Sequence, residues 1–139
     1  MRFDQSKYVA ALCLSHVRHL GKFAVEVTTK RSTRIAGQLD NHVDALHVSA
    51  LLTGLDELVK QGYGRGARVL VSSDLQSFVD AMQGNVNQLS LPMPMRKRLW
   101  AVLKSFTFTV QHRAEPALHI SLNEWLFRLE EKELRGHAT

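Results

Sequence analysis

The chain has 139 residues, of which 45% are hydrophobic, and this suits one compact domain over residues 1–139. No apolar run approaches the roughly 20 residues of a bilayer-spanning helix, and a single cysteine excludes an internal disulfide. The N-terminus MRFDQSK lacks the features of a signal peptide, so a cytoplasmic protein without membrane contact is expected. Eighteen Lys and Arg against 13 Asp and Glu give a net charge of +5, which favours an anionic partner such as nucleic acid.

The N-terminal part of the chain predicts three consecutive strands. Tyr8–Ser15 is apolar and β-permissive, and Phe23–Lys30 alternates apolar and polar side chains as a half-buried strand does. After a polar turn, Arg34–Leu39 forms the third strand. Because short turns join the three strands, the sequence predicts an antiparallel meander.

A helix is predicted after the meander. Apolar residues recur at spacings of three and four from Val43 to Leu58, which is the pattern of a helix with one face against a core. Asp40 or Asn41 is expected to cap its first turn, and the glycine-rich segment QGYGRG ends it. That segment lacks the Lys-Ser/Thr pair of a phosphate-binding loop and is interpreted as a linker.

The second half of the chain predicts further strands and helices. In chain order these are a buried strand at Ala67–Ser73, a helix at Leu75–Met82, a basic helix within Leu91–Phe106 and an alternating strand at Thr107–His112. Pro116 is expected to interrupt the chain. The capping box Ser121-Leu-Asn-Glu124 then predicts the start of a final amphipathic helix that continues to about Leu134.

This order of elements resembles the ribonuclease H family. The likeness runs from about Tyr8 to Glu130 and is carried by the segments RIAGQLDNHVDALHVSALLTGLDEL and VLVSSDLQSFVDAM. It implies an α/β fold with a mixed five-stranded sheet, in which a three-stranded antiparallel meander is followed by parallel strands, with helices on both faces. It also implies a single domain whose core spans about residues 8–134.

The resemblance implies a metal site as well. In the family, acidic side chains at the end of strand one, on the first helix, at the end of strand four and at the start of the last helix hold two divalent ions that cleave a phosphodiester. The corresponding residues of this sequence, in the same order, are Ser15 or His16, His47 in place of Glu, Asp74, and Ser121 or Asn123. One carboxylate does not hold two magnesium ions, so the resemblance implies a degenerate site in which no cofactor is expected. Glu26, Asp40, Asp44 or Glu115 would restore acidity by folding into the pocket, and Glu115 is the first candidate because it follows strand five.

A second hypothesis gives the histidines a metal. If His16, His47 and Asp74 converge with His112 or His119, imidazoles replace carboxylates and the ligand set suits zinc, manganese or nickel. An active enzyme would then be a metal-dependent nuclease with magnesium, manganese or zinc. The alternative is that His47 is a partly buried helix residue bonded to a neighbour, while Asp74 caps the helix that follows it.

Basic side chains form a candidate nucleic-acid interface. The residues are Arg96, Lys97, Arg98 and Lys104 on the predicted basic helix, with Arg65 on the glycine-rich linker. Phosphate contacts need only charge and reach, and the expected partner is RNA, an RNA–DNA hybrid or another duplex read by its shape. The alternative is a solvated helix face.

Three functions follow from these observations. The favoured one is a catalytically degenerate ribonuclease H-like domain that acts as a nucleic-acid-binding or accessory module and is not itself an enzyme. The first alternative is a protein-interaction or dimerisation module, which would use a sheet edge or the last helix, FRLEEKELR. The second alternative is an active nuclease with a histidine-substituted site.

Overall fold

A computed structural model describes residues 1–137. The strands are β1 (Ala10–Val17), β2 (Lys22–Thr28), β3 (Ser32–Gln38), β4 (Arg68–Ser73) and β5 (Thr107–His112). The helices are α1 (Val43–Lys60), α2 (Gln76–Gln83), α3 (Met93–Ser105) and α4 (Pro116–His137). Within this described range, no helix combines the length and the apolar character that a membrane crossing requires.

All five strands belong to one sheet, in the spatial order β3-β2-β1-β4-β5. The first three strands pair antiparallel, whereas β4 pairs parallel with both β1 and β5. The predicted mixed sheet is therefore confirmed. Several strand ends differ from the prediction by one or two residues. At the end of β1 the strand continues past Ser15 to Val17, because His16 and Val17 pair with Phe23 and Lys22 of β2.

Two apolar layers cover the faces of the sheet, as the alternation of side chains along β1 requires. One layer, under α1, contains Leu12, Leu14, Val25, Leu51 and Leu55. The other, under α4, contains Cys13, Val17, Ala24, Leu122 and Leu126. The predicted arrangement of helices on both faces is thereby confirmed.

Gly54 sets how closely α1 approaches the sheet. A Cβ atom at this position would lie 3.0 Å from Val25 Cγ2 and 3.2 Å from Leu12 Cδ1. Any larger side chain would therefore crowd the two strands beneath the helix. Gly54 lies seven residues, about two helical turns, after His47, so the two residues share the buried face of α1.

The start of α1 differs from the prediction. The N-cap is His42, whose ring Nδ1 accepts a hydrogen bond of 3.1 Å from the amide of Asp44. Asn41 instead uses its side-chain oxygen to accept from the amide of His42, at 2.7 Å. The predicted cap at Asp40 or Asn41 is wrong because an imidazole nitrogen, which also accepts hydrogen bonds, occupies the capping geometry.

The start of α4 differs too. The helix begins at Pro116, and the carbonyl of Glu115 accepts hydrogen bonds of 3.1 Å from the amides of Leu118 and His119. Proline fits the first helical position because its missing N–H has no intrahelical partner there. Pro116 therefore opens the last helix and does not interrupt the chain, and the predicted capping box at Ser121 lies inside it.

Candidate functional site

Two histidines and an aspartate meet where β1, β4 and α1 come together. His16 lies near the end of β1, and Asp74 directly follows β4. These two strands are parallel neighbours with Leu14 opposite Ser73, so their ends lie side by side. His47 completes the group from the buried face of α1. We refer to His16, His47 and Asp74 as the His-His-Asp cluster.

The polar atoms of the His-His-Asp cluster face one another. His16 Nδ1 lies 3.1 Å from His47 Nδ1, and Asp74 Oδ1 lies 3.8 Å from each of these nitrogens. The side chain of His47 is fully buried, whereas those of His16 and Asp74 are 14% and 16% exposed. The cluster is thus closed on the side of α1 and reaches solvent beside the other two residues.

Ser73 orients the buried histidine. Its Oγ lies 2.6 Å from His47 Nε2, accepts from the amide of Leu75 at 3.1 Å, and donates to the carbonyl of Leu75 at 3.3 Å. The carbonyl of Leu75 can only accept, so with the hydroxyl as its donor we assign the proton between Ser73 and His47 to Nε2. The Nδ1 lone pair of His47 therefore points at His16 and Asp74.

Asp74 has an unusual environment. Its Oδ1 is buried and has no hydrogen-bond partner within residues 1–137. Helix α2 starts after Leu75, which makes no side-chain cap, so the predicted N-cap role of Asp74 is wrong. Its Oδ1 atom instead faces the two imidazoles. Burying a carboxylate oxygen without a hydrogen-bond partner costs free energy of folding. A ligand bound between this oxygen and the imidazoles would remove that cost.

Both imidazoles of the cluster are held neutral. Burial lowers the pKa of His47 well below its ordinary value, and the neighbouring His16 and His119 lower it further. Burial also lowers the pKa of His16, against the opposing pull of Asp74 and Asp44. A neutral imidazole keeps one nitrogen lone pair, which is the form that binds a metal ion.

The other predicted histidines do not join this cluster. His119 lies on the buried face of α4, where its Nε2 is 2.8 Å from Ser72 Oγ and its ring is 3.5 Å from Cys13 Sγ. Ser72 Oγ also accepts from the amide of Ala114 at 3.0 Å, and burial raises the pKa of the Cys13 thiol. His112 is exposed at the end of β5. The predicted convergence therefore holds for His16, His47 and Asp74 but not for His112 or His119.

Comparison with known proteins places the fold. No protein-family model matches this chain, and no curated protein matches it in sequence. Many solved structures match its fold, and three of them have sequence identities of 15% to 19%. RNase H1 from the halophilic archaeon Halobacterium salinarum NRC-1 has a TM-score of 0.58 and 15% identity, over 86% of this chain and 98% of that chain. The chain has a ribonuclease H-like fold.

Two further structures share the ribonuclease H-like fold over nearly their whole length. LC11-RNase H1, solved in complex with an RNA/DNA hybrid, has a TM-score of 0.56 and 19% identity, over 83% of this chain and 94% of that chain. The N-terminal RNase H domain of a Mycobacterium tuberculosis protein, solved as a fusion with maltose-binding protein, has a TM-score of 0.55 and 18% identity, over 89% and 99%. The predicted resemblance in fold is confirmed.

Two of the predicted metal-binding positions bind each other. Ser15 Oγ donates a hydrogen bond to Asn123 Oδ1, and this pair lies on the side of the sheet that α4 covers. Ser121 Oγ accepts from the guanidinium of Arg34 at 3.0 Å. Of the two alternatives at the end of strand one, His16 therefore reaches the His-His-Asp cluster and Ser15 does not.

No second carboxylate reaches the cluster in the described part of the chain. Glu26 accepts a hydrogen bond of 2.8 Å from Arg34 Nε, and Glu115 contributes its carbonyl to the start of α4. Asp44 lies one helical turn before His47, but its Oδ2 accepts from the amide of Ser90 at 2.8 Å. The predicted rescue of acidity by Glu26 or Glu115 is not seen.

The residues present do not fit the two magnesium ions that the fold family implies. Magnesium binds oxygen ligands and rarely takes imidazole, and a two-ion site needs carboxylates that bridge and flank both ions. The His-His-Asp cluster offers one carboxylate and two nitrogens. We therefore derive no step through a pair of magnesium ions.

The predicted basic interface divides into two kinds of residue. Arg96 donates to the carbonyls of Asn87 and Leu89, at 3.2 and 2.9 Å, and so holds the loop before α3 in place. Arg98 pairs with Asp56 of α1 at 3.3 Å, and both side chains are exposed. These two arginines are engaged within the protein.

The other three basic residues point into solvent. Lys97, Lys104 and Arg65 are exposed, and none has an ion-pair partner within residues 1–137. The amide of Gly66 donates to the carbonyl of Ser105 at 2.7 Å, which brings the loop of Arg65 to the end of α3 that carries Lys104. These three cations are available to a polyanion.

Sequence reasoning missed Ser73 as a residue of this site. Ser72 and Ser73 both end a continuously apolar strand. A buried hydroxyl in such a strand must find a hydrogen-bond partner. The alternation of side chains also sends the two serines to opposite faces, where each contacts a different histidine. That signal was present in the sequence.

Proposed function

We propose that this chain is a nucleic-acid-binding domain of ribonuclease H-like fold that does not cleave its ligand through two magnesium ions. The observation that carries the proposal is the composition of the His-His-Asp cluster, in which Asp74 supplies the sole carboxylate within the described range. Two-ion cleavage needs several carboxylates at the same point. Loss of those groups with the fold retained favours binding without turnover.

Exposed positive charge supports the binding part of the proposal. Lys97, Lys104 and Arg65 are free to contact phosphates, and the chain carries a net charge of +5. One structure of similar fold was solved with an RNA/DNA hybrid. A duplex with A-form geometry is therefore the expected ligand, and we expect shape and backbone contacts to dominate over base readout.

The test combines binding and cleavage in one assay. Labelled RNA–DNA hybrid, duplex RNA and single strands are incubated with the protein in magnesium, manganese, zinc or EDTA. We expect the protein to bind hybrid and duplex RNA as tightly in EDTA as in the divalent metal ions, with an affinity that falls as the salt concentration rises. Both ligands should remain intact in magnesium. Lys97→Gln should reduce the slope of log K against log salt by about 1. Lys132→Gln, the same change of charge on α4, is the matched control.

Two outcomes would contradict the proposal. Cleavage that requires a divalent ion and is abolished by Asp74→Asn would identify an active nuclease with a histidine-substituted site. If the protein binds none of the polynucleotides in a salt-dependent way, with any metal ion or with EDTA, the nucleic-acid role is excluded.

A second candidate function is self-association through α4. Ile120, Phe127 and Leu134 are 53%, 47% and 61% exposed, and their spacing of seven places them on one stripe of the helix. Light scattering after size-exclusion chromatography would measure it. A dimer that becomes a monomer on Phe127→Gln, and is unaffected by polynucleotide, would favour this function over nucleic-acid binding.

A further inference from the structure

We propose that the His-His-Asp cluster binds one divalent transition-metal ion, and that zinc is the ion its donors fit best. The donors are two imidazole nitrogens and one carboxylate oxygen. Zinc binds this combination in sites that keep a fourth position open, whereas magnesium does not favour nitrogen. The proposal concerns metal binding alone and does not depend on whether the chain binds nucleic acid.

The separations of the three donor atoms suit a single ion. Four donors at about 2.1 Å from one ion, arranged tetrahedrally, lie about 3.4 Å from one another. The observed separations are 3.1 Å between the two Nδ1 atoms and 3.8 Å from each to Asp74 Oδ1. They lie on either side of the tetrahedral value, so shifts of a few tenths of an ångström would complete the site.

The surroundings of the cluster orient its donors. In the assigned tautomer, Ser73 Oγ accepts a hydrogen bond from His47 Nε2–H, so Nδ1 is left as the ligand atom. A hydrogen bond to the second ring nitrogen is the usual arrangement around a metal-binding histidine. Asp74 Oδ1 is buried without a hydrogen-bond partner among residues 1–137 and faces the same point. An ion at that point would satisfy this oxygen and both ring nitrogens together.

Ion binding changes the proton arrangement of one ring only. Without an ion, the two Nδ1 atoms lie 3.1 Å apart, and the tautomer assigned to His47 makes His16 Nδ1–H the donor between them. As a ligand through Nδ1, His16 must carry its proton on Nε2.

The fourth position of the ion would face solvent. His16 and Asp74 are the two partly exposed members of the cluster, so the open side lies beside them and away from α1. Water or a phosphate oxygen can reach such a position. The three ligands come from β1, α1 and the end of β4, so the ion would also link these elements.

The experiment measures binding directly. The full chain is stripped with EDTA, dialysed, and titrated with zinc chloride and separately with magnesium chloride in an isothermal calorimeter, without nucleic acid. We expect one zinc per chain and no saturable magnesium binding. At zinc 100-fold above its dissociation constant, Tm should rise by about 10 °C.

Variants locate the site. His16→Gln and Asp74→Asn should each weaken zinc binding by at least about tenfold, since each removes one of three protein ligands. His112→Gln, at an exposed histidine outside the cluster, should bind zinc as the wild type does. Circular dichroism confirms folding. If a variant fails to fold, the wild-type stoichiometry and the shift in Tm decide the question.

The proposal is overturned if the wild-type chain binds no zinc at a stoichiometry of one. It is also overturned if His16→Gln and Asp74→Asn bind zinc as tightly as the wild type. Either result leaves the nucleic-acid proposal untouched, because binding to nucleic acid is also measured in EDTA, where no metal is available.

Discussion

Replacing Ser73 with alanine removes a hydroxyl that contacts both His47 and the backbone of Leu75. His47 is fully buried, so its Nε2–H would lose its partner where water does not replace it. An unsatisfied buried donor costs about 1–3 kcal/mol, and the lost acceptor for the amide of Leu75 adds about 1 kcal/mol. The free energy of unfolding should fall by about 2–4 kcal/mol, with a fall in Tm of about 6–15 °C.

Urea denaturation in EDTA measures this change without a contribution from metal binding. Ser77→Ala, at an exposed position of α2, is the control and should change the free energy of unfolding by less than about 0.5 kcal/mol. The double variant Ser73→Ala with His47→Leu should lose less than the two single changes together, because both partners become apolar. A Ser73→Ala protein as stable as the wild type would refute the assigned hydrogen bond.

Three further predictions concern pH and charge. Burial lowers the pKa of His119, so the unfolded chain binds more protons below pH 6.5 and stability falls as pH drops. Between pH 5 and 6.5, the free energy of unfolding of a His119→Gln variant should depend less steeply on pH than that of the wild type, by up to about 1.4 kcal/mol per pH unit. Urea denaturation measures both slopes, and equal slopes would contradict the burial argument. Arg96→Gln should lower the free energy of unfolding by about 1–2 kcal/mol, because the carbonyls of Asn87 and Leu89 lose their donor, and equal stability would show that they do not need it. Lys97→Gln should leave stability within about 0.5 kcal/mol while weakening polynucleotide binding, and the reverse pattern would place Lys97 with the structural arginines.

Much of the fold was predictable because its signals are local. The period of two in the meander, the period of three and four after Val43 and the apolar run before Asp74 each follow from burial on a defined face. The same periods place His47 on the buried face of α1 and Asp74 at the end of a central strand. The meeting of His16, His47 and Asp74 was accordingly within reach of the sequence.

Other features depend on contacts between distant residues. Ser121 and Glu124 have the spacing of a capping box, yet Ser121 is bonded to Arg34 of β3 and the helix starts at Pro116. The contact between Cys13 and His119 spans 106 positions along the chain. Local patterns do not encode such partners, because they are set by the register of the sheet and the docking of α4.

Because Cys13 is buried beneath α4, the reactivity of its thiol reports movement of this helix away from the sheet. Cys13 is a fully buried residue of β1 that packs against α4, and its raised pKa leaves almost no thiolate to react while the helix is docked. Reaction with a thiol reagent must then wait until α4 lifts away or the whole domain opens. The labelling rate of the native chain, compared with that of the chain in urea, would give the equilibrium constant for that opening. Cys13, which is not part of the candidate site, is thus a built-in probe of how often the last helix undocks.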